Sequence, residues 1–119
     1  MLIGYMRVST AEQSLDLQRD ALEKAGCRKI YEDVCSGRAT ERPGLAQALD
    51  TAREGDTLVI WKLDRIGRSL PHVVGLVGEL QKQGIGLKVL TGDVDTTTAT
   101  GRLVFGIFAT LAEFERDLI

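Results

Sequence analysis

The sequence is poor in the residue types on which many enzymes and secreted proteins depend. Its 119 residues include two cysteines and a single histidine, His72. Cys27 and Cys35 form no Cys-x-x-Cys pair, and a chain of this size does not need disulfides, so we interpret both as reduced structural thiols. A metal site and a serine-histidine couple are both poorly supported, since the ligands and the base that they need are scarce.

Long apolar runs and an excess of positive charge are also missing. No stretch approaches the roughly 18 apolar residues of a membrane span, and Arg7 interrupts the first apolar stretch before a signal-peptide core can form. We therefore expect a cytoplasmic protein without membrane contact. The net charge is -2, whereas a domain that binds nucleic acid by itself usually carries a basic patch. Most of any nucleic-acid affinity would have to come from another segment.

What the sequence does contain is a regular alternation of strand-like and helix-like segments. The composition, with 44% hydrophobic and 27% charged residues, is that of one ordinary globular domain. This alternation predicts a single three-layer α/β domain with a mostly parallel central sheet of four or five strands. The expected strands are 3–10, 28–34, 57–63, 85–90 and a short extension within 91–97, and the expected helices are 11–25, 43 to about 55, 70 or 71 to 84, and 101–119.

The first strand carries two reactive side chains toward its carboxyl end. Because side chains alternate along a strand, Tyr5, Arg7 and Ser9 share one face. Open α/β sheets bind their ligands at the carboxyl ends of strands, so Arg7 and Ser9 form a candidate site. The alternative interpretation is that Ser9 and Thr10 only cap the helix that follows.

A denser polar cluster follows the third strand. Asp64, Arg65 and Arg68 leave the carboxyl end of an apolar run that is typical of a buried central strand. An Asp64 to Arg68 pair on a helical first turn would account for two of them and would leave Arg65 unexplained. Residues 35–44 are predicted to form a polar loop carrying Arg42, and loops of this length are usually functional or mobile.

The last helix is apolar nearly all round in its first half. One apolar stripe is enough to cover a small sheet, so the excess indicates either a deeply buried helix or a subunit interface, and we favour the interface. The helical pattern continues to Ile119, so we expect that this chain is cut within its last helix. The expected interface residues are Leu103, Val104, Phe105, Ile107, Phe108, Leu111 and Phe114.

Several short motifs match one family in combination. They are Tyr5-Met-Arg-Val-Ser9-Thr, Leu17-Gln-Arg-Asp-Ala-Leu, Ser36-Gly with Arg42-Pro-Gly, Lys62-Leu-Asp64-Arg65-Ile-Gly-Arg68-Ser, and Gly101-Arg with Ala112-Glu-Phe-Glu-Arg. Together they resemble the catalytic domain of serine site-specific recombinases, the resolvase and DNA invertase family, and among these they look closer to the phage-type DNA invertases. The resemblance runs through essentially the whole chain.

The resemblance implies a mechanism without metal or cofactor. Ser9 would attack the scissile DNA phosphate and form a covalent 5'-phosphoserine. Asp64 would orient the arginines or exchange a proton with the 3'-oxygen, and the general base is not identified. The implied phosphate clamp is Arg7, Arg42, Arg65 and Arg68, and the implied supporting polar shell is Tyr5, Gln13, Gln18, Asp33 and Ser36.

The resemblance also implies a domain organisation and partners. Residues 1–100 would be the catalytic domain and 101–119 the start of the dimerisation helix, and the family's C-terminal helix-turn-helix domain would be missing. The expected partners are DNA, bound weakly by this segment alone, and further copies that form a homodimer and a synaptic tetramer. DNA inversion, resolution and integration are all possible outcomes.

Two other functions fit the arginine cluster less well. One is a non-catalytic α/β regulatory module that binds a phosphorylated ligand. The other is a small phosphatase-like or nucleotide-binding enzyme, but the sequence has no Gly-rich phosphate loop, no Cys-x5-Arg motif and no acidic metal cluster.

Overall fold

The computed structural model describes residues 1–8, 15–34, 43–62, 70–91 and 94–117, with the backbone alone for some of them. None of the helices in these ranges is long and apolar enough to span a membrane. The elements in chain order are β1 Leu2–Val8, α1 Leu15–Lys24, β2 Lys29–Val34, α2 Pro43–Thr51, β3 Thr57–Ile60, α3 Leu70–Lys82, β4 Gly86–Val89, β5 Val94–Asp95 and α4 Ala99–Asp117.

The strands form one sheet in the order β2-β1-β3-β4-β5. The first four are mutually parallel, with Tyr5 of β1 opposite both Tyr31 and Ile60, and β5 is a short antiparallel edge. The predicted mostly parallel sheet is thereby confirmed, although β3 ends at Ile60, three residues before the predicted end. The order reverses at β1, because β2 lies on one side of it and β3 on the other.

Side-chain alternation divides the interior into two cores on opposite faces of the sheet. Ile3 and Tyr5 are fully buried in the larger core, with apolar residues of α2, α3 and α4. Met6 is fully buried in the smaller core, where it packs with Leu22 of α1. Each fully buried side chain of this size contributes about 1.5–3 kcal/mol. The three predicted layers are therefore α1, the sheet, and the remaining helices.

The N-terminus of α2 lies directly against β2. Gly44 is buried, and a Cβ atom at this position would overlap the backbone carbonyl oxygen of Glu32. Pro43 begins the helix, a position at which its missing N–H costs nothing. The close approach sets the first N–H groups of α2 beside the carboxyl end of β2.

Hydrogen bonds that threonine hydroxyl groups accept hold the segment before α4 on the sheet and cap the helix. The buried Thr96 Oγ1 accepts a 2.8 Å bond from the backbone N–H of Leu87, and Thr98 Oγ1 caps the helix by accepting from Gly101 N–H at 2.9 Å. A side chain at Gly101 would overlap the carbonyl oxygen of Asp95. The β5 strand and the first turn of α4 therefore form one closely packed unit.

The half-buried Cys27 is the cysteine that falls within the described ranges. Burial raises the pKa of its thiol to about 11, against a smaller lowering by the Lys88 charge. Since only a thiolate is nucleophilic, Cys27 is an inert neutral thiol at neutral pH. Cys35 lies outside the described residues.

We predict opposite effects for two glycine-to-alanine changes on helices. Gly44→Ala is expected to lower the free energy of unfolding by about 1–3 kcal/mol, because the new methyl group must displace α2 from β2. Gly75→Ala on α3 is the control. A Cβ there meets nothing within 4 Å, so the change is expected to raise the free energy of unfolding by about 0.5–1 kcal/mol. Urea unfolding measures both, and equal stability of Gly44→Ala and the wild type would contradict the close approach.

Candidate active site

The carboxyl ends of β1 and β3 lie side by side at the point where the strand order reverses. In open α/β sheets this topological switch point is where a crevice forms and ligands bind. Arg7 is the second-to-last residue of β1, and Ser9 follows the strand directly in the sequence. Trp61 and Lys62 follow β3, and the Asp64 to Arg68 cluster comes next in the chain. The topology therefore brings Arg7 of β1 and the Trp61-Lys62 pair after β3 to one edge of the sheet.

The structure describes four of the predicted site residues. Tyr5, Arg7 and Asp33 lie along one face toward the carboxyl edge of β1 and β2, and Gln18 lies on α1. These four are buried, with Arg7 and Asp33 each 6% exposed. The other predicted site residues, Ser9, Gln13, Ser36, Arg42, Asp64, Arg65 and Arg68, lie outside the described residues.

Asp33 joins three elements through its carboxylate. Its Oδ1 accepts a 2.8 Å bond from the backbone N–H of Gly44, and its Oδ2 accepts from Leu45 N–H at 3.1 Å and from the Tyr5 hydroxyl at 2.8 Å. These bonds satisfy two of the N–H groups that a helix N-terminus leaves open, and the negative charge lies at the positive end of the α2 dipole. The burial of a charged group, which is costly without partners, is offset in this way.

The surroundings of Arg7 combine charge with a fixed backbone. The register places Arg7 directly opposite Asp33 on the neighbouring strand, so residues of opposite charge occupy paired positions on one face of the sheet. The Arg7 backbone carbonyl accepts a hydrogen bond of 3.4 Å from Nε2 of Gln18, which is fully buried. Among the described residues, none donates a hydrogen bond to Gln18 Oε1. The amide of Gln18 therefore holds the end of β1 immediately before Ser9.

A further pair at this edge was not singled out from the sequence. Nζ of the exposed Lys62 lies 4.8 Å from the centre of the half-buried Trp61 ring. The Trp61 carbonyl accepts two bonds from Thr91 at the end of β4, at 3.0 Å from the backbone N–H and at 2.6 Å from Oγ1. An aromatic-basic dipeptide ending a buried strand is the sequence signal that could have identified this pair.

The described part of α4 exposes one apolar stripe. Leu103, Ile107 and Leu111 are 66%, 54% and 47% exposed and lie four residues apart, on one side of the helix. Phe105, by contrast, is 6% exposed and belongs to the larger core, against which the half-buried Val104 also packs. The side chains of Phe108 and Phe114 lie outside the described residues.

The described part of the edge is suited to binding an anion. It combines a buried arginine with an exposed lysine, and both side chains favour a negatively charged ligand. Within the described ranges, no group of three or more His, Cys, Asp or Glu side chains is arranged to hold a metal ion.

Comparison with known proteins gives consistent relatives. The sequence profile of the resolvase N-terminal domain matches residues 2–119. Serine recombinase gin of Escherichia phage Mu is 56% identical over 119 residues, which are all of this chain and 62% of that protein. DNA-invertase hin of Salmonella typhimurium is 51% identical over 117 residues, which are 98% of this chain and 62% of that protein. The chain thus spans less than two thirds of the length of these relatives.

Solved structures agree with the sequence relatives. The N-terminal catalytic domain of TP901-1 integrase is 32% identical and superposes with a TM-score of 0.84, covering 98% of this chain and 97% of that one. A resolvase-family site-specific recombinase from Streptococcus pneumoniae, at 22% identity, shares the fold with a TM-score of 0.79 over 98% of this chain and 87% of that one. The chain belongs to the resolvase family of serine recombinases, and its fold is that of their N-terminal catalytic domain.

Proposed function

We propose that this chain is the catalytic domain of a recombinase that cuts and rejoins DNA at specific sites, with Ser9 as the nucleophile. The observation that carries the proposal is the switch point of the sheet. There, β1 ends at the residue before Ser9, with Arg7 buried, and the neighbouring β3 leads toward Asp64, Arg65 and Arg68. The names of the relatives, serine recombinase and DNA-invertase, agree with it.

The proposed chemistry is a pair of reversible transesterifications. Ser9 Oγ attacks the scissile phosphorus and forms a phosphoserine ester, while the bond from phosphorus to the 3'-oxygen breaks and that oxygen takes up a proton and leaves as a hydroxyl. Rejoining reverses these steps after strand exchange. No energy source is needed, because one phosphate ester replaces another.

The arginines are assigned the electrostatic part of this chemistry. Guanidinium groups donate paired hydrogen bonds to phosphate oxygens and stabilise the charge that develops in the transition state. We assign this role to Arg7, Arg42, Arg65 and Arg68. The same positive charges favour the ionised Ser9 hydroxyl, with Asp64 orienting the arginines or exchanging the proton with the 3'-oxygen.

Tyr5, Asp33 and Gln18 are assigned positioning roles. Asp33 holds the first turn of α2, which begins immediately after Arg42, and Tyr5 holds Asp33. Gln18 holds the Arg7 carbonyl, and its Oε1 is available to accept a bond from the segment that carries Ser9. We expect Gln13 and Ser36 to complete this shell.

The proposed partners are DNA and further copies of the protein. This segment alone is expected to bind DNA weakly, since its net charge is -2, and a separate C-terminal domain would read the site. The exposed stripe of Leu103, Ile107 and Leu111 on α4 is the proposed dimer contact, and two dimers would form the synaptic tetramer. We expect the protein to act in the cytoplasm, where its DNA substrate is.

The Ser9→Ala variant is expected to form no covalent protein-DNA adduct. The full-length recombinase is mixed with a nicked suicide substrate that traps the cleaved state, and the adduct is measured on a denaturing gel. Ser14→Ala is the matched control and should keep the adduct, because we assign no role to Ser14. A full yield of adduct from Ser9→Ala would refute the nucleophile. The regulatory-module alternative predicts instead that no adduct forms with the wild type and that Ser9→Ala keeps the protein's function.

Tyr5 and Asp33 are expected to be energetically coupled. Tyr5→Phe and Asp33→Ala each remove the bond between them, so a double-mutant cycle on the free energy of unfolding should give a coupling of about 0.5–3 kcal/mol. Asp33→Ala alone should cost about 1–3 kcal/mol, because it leaves buried N–H groups without an acceptor.

Tyr31→Phe is the control in this cycle, since the Tyr31 hydroxyl bonds Thr51 at 2.8 Å instead. It should be nearly additive with Asp33→Ala. Additivity of Tyr5→Phe with Asp33→Ala would remove Tyr5 from the network.

An acidic residue in the exposed stripe of α4 is expected to break the dimer. Ile107→Asp should weaken self-association of the full-length recombinase at least tenfold, about 1.4 kcal/mol, because a charge would be buried in an apolar contact. Gln47→Asp, at an exposed position of α2, is the charge-matched control. Analytical ultracentrifugation measures both, and unchanged association of Ile107→Asp would rule out this face.

A further inference from the structure

Lys62 holds its ammonium group in a defined place although it is exposed. This group lies 4.8 Å from the centre of the Trp61 ring, a distance at which the ring attracts a cation. A lysine side chain without such a contact has more rotamer freedom, which is lost when it binds a ligand. The ring contact therefore lowers the entropic cost of binding an anion at Lys62.

The platform under this ammonium group is itself fixed. Both Thr91 hydrogen bonds reach the Trp61 carbonyl, so the turn after β3 is tied to the end of β4. Trp61 and Lys62 lie one and two residues beyond Ile60, which is paired with Tyr5 of β1. The pair, which we call the Trp-Lys step, therefore lies at the same edge as Arg7.

No ion pair neutralises the charge of Lys62 within the described residues. Three other cations are paired there: the N-terminal ammonium group with Asp56 at 3.0 Å, Arg19 with Glu32 at 3.2 Å, and Lys82 with Glu79 at 3.4 Å. No described carboxylate forms an ion pair with Lys62, although the chain carries a net negative charge. A cation that contacts an aromatic ring at this edge, and that has no ion-pair partner among the described residues, is suited to a negatively charged ligand.

We propose that the Trp-Lys step is a second DNA contact, in which Lys62 binds a backbone phosphate next to the scissile one. This inference rests on the proposed function. A lysine is a compact point charge that tolerates varied geometry, which fits a positioning contact to the backbone better than the bidentate chemistry of the reacting phosphate. Such contacts fix the register of a protein on DNA without reading its sequence. Lys62 contributes affinity and placement, and it takes no part in bond making.

The test is the salt dependence of DNA binding by the full-length recombinase. Lys62→Gln should weaken binding alike for the recombination site and for unrelated duplex DNA, and it should lower the slope of log K against log salt by about 0.9, the value for one phosphate contact. Lys62→Arg should restore the slope. Lys82→Gln on α3, at the opposite edge of the sheet, is the charge-matched control and should change neither quantity.

Two further measurements separate this inference from the proposed function. Cleavage by Lys62→Gln at saturating DNA should proceed at the wild-type rate, which a misfolded or catalytic variant would not do. Trp61 is the single tryptophan of these 119 residues, and in this segment saturating DNA should protect its fluorescence from acrylamide quenching.

The outcomes divide clearly. A wild-type salt slope for Lys62→Gln, with normal Ser9 adduct formation, would overturn the Trp-Lys step and leave the function standing. A reduced slope for Lys62→Gln, together with no Ser9 adduct from the wild type, would support the Lys62 contact and overturn Ser9 as the nucleophile.

Discussion

The buried carboxylate of Asp33 is the group on which the geometry of the carboxyl edge depends. A charge at this depth is stabilised by hydrogen bonds from Tyr5, Gly44 and Leu45, and those donors come from a neighbouring strand and a helix. The absence of a side chain at Gly44 lets the helix come close enough to donate. One electrostatic requirement therefore fixes the relative positions of β1, β2 and α2.

Next to this fixed corner, the sheet topology brings two strand ends together. The strand order reverses at β1, so the carboxyl ends of β1 and β3 are adjacent, and the chain continues from them toward Ser9 and toward Asp64. In the proposed mechanism the two kinds of basic side chain have different tasks. Arginines, with paired donors, would bind the reacting phosphate, and the lysine in contact with Trp61 would bind a neighbouring one.

Local pattern was enough to predict the sheet and the shared face of Tyr5 and Arg7, because strand alternation and apolar runs depend only on neighbouring residues. The sequence pattern could not separate Phe105, which is in the core, from the exposed Leu103. When a helix is apolar on almost all sides, its sequence does not show which side is buried. The three hydrogen bonds to Asp33 and the contact of Lys62 with Trp61 could not be predicted from the sequence either, since both depend on the tertiary arrangement. The placement of Ser9 and its arginine partners remains a prediction from the resemblance.

The hydrogen bonds of Asp33 to the first turn of α2 also bear on chain entropy. They hold the end of β2 at Val34 and the start of α2 at Pro43 at fixed points of the fold. Any conformation of residues 35–42, including Arg42, must begin and end at those two points. The entropy of bringing the two ends of this segment together is therefore lost when the domain folds.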